Sequence, residues 1–491
     1  MSSSLKKQAL HGAFWSFTER FGQQGIQFVV SIIIARLLEP RDFGILGMLA
    51  LFMALAQSVI DSGFGQALIQ KQDADHTDES TIFWFNLMTG VAMAGILFMA
   101  APWIAAFYDT PLLQPITRVF CLNLVINSFS IVQNALLMKE LAFKQRMIPV
   151  LSSILVSGVV GVTLAWMGFG VWSLVLQGLV GNIVRTAGLW MVHSWRPSFS
   201  FSRDSFRTLW GFGSKMLYSG LLNTFFQNIY LVIIGKLYSA GQLGFYERSK
   251  KLMMLSSQSL SQVVSQVSFP ILSKMQGDAV RMRHGFTKAL QITILAVVPM
   301  MVGLGIVAPD FIRVLLGEKW MPCVPYLQIM CVSYAIYPLH LLNVHVVLAL
   351  GRSDLFFKLE VMKKALTIIS ILVTYRYGVC GLLWGQVVGS YVCLLINAHY
   401  VQRLLGYGLV AQLAGVRKIL LASLGMGLCV WLARGLPFEL AVVRLTVQSV
   451  AGIAVFGLLE YLLREPVFIE YSTALKSRVL NLSVVISQHS K

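Results

Sequence analysis

Residues 82–107, IFWFNLMTGVAMAGILFMAAPWIAAF, carry no charged side chain over 26 positions. A hydrocarbon core ~30 Å thick is crossed by about 20 apolar residues of helix. In lipid the backbone polar groups must be satisfied within the segment, so such a run reads as a helix rather than a strand. Pro111 just beyond it, and Gly168 with Gly170 in a later loop, mark tight turns that favour hairpins of antiparallel helices. Working outward, fourteen stretches of this kind fill the chain from about residue 12 to residue 463. The expected class is therefore an all-α polytopic membrane protein.

Composition agrees. Of 491 residues, 56% are hydrophobic and 12% charged, with a mean hydropathy of +0.72. A soluble domain built this way would have too little polar surface. The net charge of +18 would suit nucleic acid, but it is spread over short loops, with no basic run and no aromatic-basic module for bases. Lys6 and Lys7 precede the first apolar stretch and no small-residue cleavage pattern closes it, so it reads as a retained helix. The six cysteines show no CxxC pair and no Cys/His spacing suited to zinc, and read as small packing residues. Cys323 and Cys380 fall near helix ends on one side, where a disulfide is conceivable but nothing supports it. Walker, kinase, hydrolase and Rossmann patterns are missing, as are clustered acids on an outward loop. A transporter without catalytic residues, cofactor or metal is expected.

Orientation follows from Lys and Arg. With the amino terminus cytoplasmic, 24 of the 39 fall in inner loops and tails, 8 in outer loops and 7 within spans. Both termini are thus expected in the cytoplasm.

An internal repeat is visible. IARLLEPRDFGIL (34–46) aligns without gaps on IGKLYSAGQLGFY (234–246), an offset of 200 that pairs Ile34 with Ile234, Arg36 with Lys236 and Gly44 with Gly244. The same offset places Gln66 on Gln266 and Gln57/Ser58 on Ser257/Gln258. A second trace pairs GVWSLVLQGLVG (170–181) with GVCGLLWGQVVG (378–389). Six helices separate the copies, so both halves enter the membrane in the same direction. That implies two six-helix lobes, 1–195 and 196–405, related by a pseudo-two-fold along the membrane normal, as in many secondary transporters. Residues 406–491 add two helices and a tail outside the repeat.

Charged groups at membrane depth cost ~2.5–3.5 kcal/mol each on insertion scales and need a partner or water. Glu19 and Arg20 in the first helix and Asp61 in the second lie at similar depth. They form either a structural ion-pair cluster or a carboxylate site for a coupling ion, with Asp61 and Glu19 the candidates. The span-embedded cations are Arg20, Arg118, Arg185, Lys215, Arg248, Lys250 and Lys251. Arg185 and Lys215 could snorkel to headgroups; Glu247 and Lys251 could pair on one helix face. The surplus of cations also suits an anionic ligand such as a diphosphate, with Arg20, Arg118, Lys215, Arg248, Lys250 and Lys251 as candidates. The eighth helix carries a polar stripe of Ser257, Gln258, Ser261, Gln262, Ser265 and Gln266, and the seventh adds Asn223, Gln227 and Asn228. Such residues serve either helix packing in membranes or a sugar ligand in a wet cavity. His340, Asn343 and His345 in the tenth helix read more readily as packing groups.

ARLLEPRDFG (35–44) resembles a hallmark of bacterial polysaccharide transporters of the multidrug/oligosaccharidyl-lipid/polysaccharide exporter superfamily. DSGFGQALIQK (61–71), LMKELAFK (137–144), LGEKW (316–320) and ALGRSD (349–354) resemble the colanic acid exporter type within it. The likeness spans the whole chain and is weakest after about residue 405. It implies a MATE-like two-lobed bundle around a central cavity lined by the first, second, seventh and eighth helices. The implied ligand is an undecaprenyl-diphosphate-linked oligosaccharide moved across the bacterial inner membrane, with coupling to a proton or sodium gradient. A polysaccharide polymerase and a chain-length regulator are the implied protein partners, and nucleic acid is not. The second copy of the repeat departs from the first, with Ser239 and Ala240 in place of Glu39 and Pro40. The alternatives are a cation-coupled exporter of small drugs on the same fold, or a polytopic glycosyltransferase or polymerase.

Overall fold

The computed structural model describes residues 3–71, 73–254, 268–435, 440–470 and 473, apart from the side chains of 3–14, 16, 17, 208, 209, 212 and 215. Among the described residues every regular element is helical, and 11 runs are long and apolar enough to cross a membrane. One of these, Ser353–Leu405, covers two of the expected spans, while the first and the eighth expected spans are not among them. The chain is a multi-pass membrane protein, and the expected fourteen spans are compatible with it. All six cysteines are free thiols.

Packing divides the chain into two units, residues 1–247 and 248–491. The first holds α1 (Ser3–Leu37), α2 (Pro40–Asp61), α3 (Phe64–Gln70), α4 (His76–Phe107), α5 (Leu113–Phe120), α6 (Leu122–Ser128), α7 (Ile131–Lys139), α8 (Phe143–Trp166), α9 (Val171–Val192), α10 (Arg203–Leu237) and the start of α11 (Ala240–Met253). The seventh helix, α10, packs along α2, α3 and α4.

Both copies of the repeat fold alike. α1 stops at Leu37 and α2 starts at Pro40; α10 stops at Leu237 and α11 starts at Ala240. In the first copy Pro40 opens the helix with its φ already fixed and no N–H to orphan, and the Glu39 N–H donates to Asp42 Oδ2 at 3.1 Å. In the second, Ser239 Oγ accepts from the Gln242 N–H at 3.2 Å. The second trace holds as well: Gly170 (φ 55°) and Gly378 (φ 75°) stand in the left-handed half of backbone space at the starts of the sixth and twelfth helices.

The fourth and tenth spans, expected as single helices, are each broken. In the fourth, side chains bond back to carbonyls three residues earlier: Asn123 Nδ2 to Phe120 O (3.1 Å), Ser128 Oγ to Val125 O (2.6 Å) and Ser130 Oγ to Asn127 O (2.8 Å). These bonds compete with the helical ladder and yield α5, α6 and α7. The tenth span breaks at Ile336 because Pro338 removes a ladder donor, giving α13 (Cys323–Ala335) and α14 (Tyr337–Ala349).

The second unit is completed by α12 (Ala279–Leu315), α15 (Ser353–Thr374), α16 (Gly378–Leu405), α17 (Leu409–Ala433) and α18 (Ala441–Leu462). Its core joins Phe286, Leu290 and Ile294 of α12 to Val346 of α14, Val401 of α16 and Ile419 of α17. The two helices outside the repeat, α17 and α18, pack on α12. Arg444 of α18 grips the buried Asp310 of α12 with both arms of its guanidinium, Nε lying 2.8 Å from Oδ2.

Candidate functional site

In the first unit, charged groups of four of its long helices act on one another. Glu19 of α1 is 5% exposed, and its Oε1 accepts from Arg146 Nη2 at 2.9 Å. Arg146 stands in the first turn of α8, which packs against α1. Asp61 closes α2, where its Oδ1 accepts from Gln57 Nε2 at 2.8 Å. Between these acids acts Arg185 of α9, whose charge is felt by Glu19, Asp61 and Arg146. The Nε atoms of Arg146 and Arg185 are buried without a hydrogen-bond partner. Two acids and two guanidinium groups from four helices therefore offset one another, the buried Glu19 most directly through Arg146 and the exposed Asp61 through Arg185.

The α2 helix continues this polar face toward α10. Ser58 and Thr224 share a hydroxyl hydrogen bond at 3.0 Å, and Asn228 Nδ2 donates to the Thr224 carbonyl at 2.8 Å. Asn223 and Gln227 lie exposed one turn apart on α10. Below Asp61 the helix turns sharply: Ser62 (φ 38°) and Gly63 (φ 71°) are both left-handed. A Cβ on Gly63 would come within 2.7 Å of Met216 Cβ on α10, so glycine is required there on two counts.

The sequence candidates distribute unevenly. Of the Glu19, Arg20 and Asp61 group, Glu19 pairs with Arg146, and Glu19 and Asp61 both act on Arg185. Arg146 reads in sequence as a loop charge, and Arg185 as a snorkelling one. Arg20 is exposed. Arg118 lies over the Phe98 ring at 4.9 Å on α5. Arg248 is 4% exposed and stacks on Trp320 at 5.6 Å, so the LGEKW motif provides its bed. Lys250 is half-buried and Lys251 exposed. The Lys215 side chain and all of Ser257, Gln258, Ser261, Gln262, Ser265 and Gln266 lie outside the described residues.

Two further motifs meet. Lys139 of LMKELAFK donates to the Lys71 carbonyl at 2.9 Å, and Lys71 of DSGFGQALIQK pairs with Asp78 at 2.5 Å. The hydrogen bond to Asp78 raises the Lys71 ammonium above the ordinary lysine value. In the second unit, Asn343 and Gln412 exchange amide hydrogen bonds at 3.0 and 2.9 Å, and Asn397 Nδ2 lies 3.3 Å from His340 Nδ1. Lys363, inside α15, pairs with Glu360 at 2.9 Å and joins the span-embedded cations. Among the described residues no group of three or more His, Cys, Asp or Glu could hold a metal.

Many apolar helices, two structurally matching repeats and a neutralised charge cluster at membrane depth define a polytopic membrane protein of transporter architecture. The chain belongs to a family of polysaccharide biosynthesis proteins, whose model matches residues 33–325. It is 28% identical to the teichuronic acid biosynthesis protein TuaB of Bacillus subtilis over 87% of this chain and 89% of that one. With the lipopolysaccharide biosynthesis protein WzxC of Escherichia coli it shares 25% identity over 92% and 89%. Its fold is that of the lipid II flippase MurJ in an inward closed conformation: TM-score 0.75 at 15% identity, covering 92% of this chain and 98% of that one.

Proposed function

We propose that the protein is a flippase carrying undecaprenyl-diphosphate-linked oligosaccharide repeat units from the inner to the outer leaflet of the bacterial inner membrane, for surface polysaccharide synthesis. The observation that carries this reading is the cluster of Glu19, Arg146, Arg185 and Asp61, held at membrane depth in a chain of the polysaccharide biosynthesis family. Charges kept there serve ion pathways or polar cargo more often than stability.

In this reading the sugars pass over amide and hydroxyl groups: Asn223, Gln227 and the stripe of Ser257, Gln258, Ser261, Gln262, Ser265 and Gln266. Arg20, Arg118, Lys215, Arg248, Lys250 and Lys251 supply the cations that hold the diphosphate by charge-assisted hydrogen bonds. The polyprenyl tail stays in lipid. A proton or sodium ion taken up at Asp61 or Glu19 cancels a negative charge and releases Arg185 or Arg146 from its counter-ion. The freed guanidinium then attracts the diphosphate. Coupling works only if the ion binds the inward- and outward-open states with different affinity. Access alternates by movement of lobes 1–195 and 196–405, with both termini cytoplasmic, and a polymerase with its chain-length regulator takes the product.

A deletion strain should accumulate the lipid-linked repeat unit on the inner leaflet. Purified protein in liposomes should relocate intact lipid-linked sugar; new glycosidic bonds instead would mean an enzyme. Asp61→Asn should abolish surface polymer at unchanged protein level, and so should Arg248→Ala with Lys250→Ala. Normal polymer from either variant removes those residues from the mechanism.

A further inference from the structure

The two copies of the sequence repeat are not only similar; they touch. A Cβ built on Gly44 of α2 would stand 2.5 Å from the carbonyl carbon of Ala240, and one on Gly244 of α11 2.7 Å from that of Pro40. Residue 40 aligns with 240 and residue 44 with 244, so each helix lays its first residue over the glycine of the other. Flanking residues keep the symmetry: Phe43 and Leu243 are both buried, and the Leu243 side chain fills the notch at Gly47, 3.3 Å from where a Cβ would stand. Gly235 makes room for Met48 and Tyr108 at 3.1 and 3.0 Å from its own missing Cβ. Lys236 reaches Asp109 beside Tyr108 at 3.0 Å.

We propose that Gly44 and Gly244 are the gating residues of the outer side, a backbone-to-backbone clasp that must part for a bulky headgroup to leave. This rests on the flippase reading and on its orientation, in which the ends of α1 and α10 that carry the repeat face outward. Glycine is needed because two helix backbones can meet only where neither carries a Cβ. A contact in which two backbones meet over missing Cβ atoms depends on close approach rather than on matching polar partners.

The test uses the full chain with its six cysteines replaced and a reporter cysteine at Met48, which is 2% exposed behind the clasp. In intact cells a membrane-impermeant maleimide should label the reporter slowly. Gly44→Ala or Gly244→Ala should raise that labelling rate about tenfold, the population shift expected of a partly disabled closed state, and lower polymer export by a similar factor. Gly25→Ala should change neither, since a Cβ there meets nothing within 4 Å. Unchanged labelling and export in both variants overturns the clasp. Should the variants fail to reach the membrane, cysteines at Arg41 and Gly241 can be joined by a reducible bifunctional thiol reagent. The bridge should arrest export and reductant restore it; undiminished export across a formed bridge overturns the proposal. The labelling readout does not depend on cargo. A reporter that responds in a protein moving no lipid-linked sugar would sink the flippase reading and leave the clasp standing.

Discussion

The two copies of the repeat, residues 34–46 and 234–246, follow the same path by different chemistry. The first starts its second helix with a proline and an aspartate that catches the preceding N–H. The second uses a serine that catches an N–H three residues ahead. The first copy carries a full reciprocal capping arrangement, the Glu39 side chain taking the Asp42 N–H and the Asp42 side chain the Glu39 N–H. The second has a serine cap, so Ser239 and Ala240 replace Glu39 and Pro40 without altering the break. Capping a helix start has several solutions. Close backbone approach has one, and at 44 and 244 the residue is the same.

That contrast can be broken by substitution. The largest effect is expected from Gly44→Val and Gly244→Val, which drive a branched side chain into the opposing backbone. Each should cost about 1–3 kcal/mol, and equally, in unfolding measured in detergent; a strongly unequal pair would mean the crossing is not symmetric. Next come the caps. Ser239→Ala, Asp42→Ala and Glu39→Ala should each lose ~1 kcal/mol, because the Glu39 and Asp42 side chains each accept one N–H of the reciprocal cap. A loss at Asp42 with none at Glu39 would contradict the reciprocal cap. The smallest effect is expected at Lys236, whose exposed pair with Asp109 should contribute ~0.2–1 kcal/mol and fade with salt. A salt-independent loss in Lys236→Ala would give that pair a part in the clasp.

Much of this was legible in the sequence, and the reasons for the rest are physical. Apolar runs near 20 residues have one solution in lipid, so the class and the hairpin turns at 108–111 and 167–169 could be read directly. The breaks inside the fourth span could not, since Asn123, Ser128 and Ser130 look the same in a continuous helix as in one whose side chains steal a carbonyl. Asp61 was found because an acid within a span stands out. Its setting was missed because charges pair across space: Arg20 follows Glu19 directly and cannot face it, while Arg146 arrives from α8. Arg185 showed only as a cation near a helix end, which snorkelling explains equally well.

The grip of Arg444 on Asp310 bears on how short such a protein could be made. A chain trimmed after Leu405 would keep both repeats yet take Arg444 from the buried Asp310 carboxylate, leaving it Arg313 at 3.9 Å, and would take Gln412 from Asn343. Losing one partner of a buried pair costs about 3–5 kcal/mol, of which Arg313 can return a part at Asp310, so a minimal twelve-helix version would need an apolar residue at 343 and would gain from Asp310→Asn.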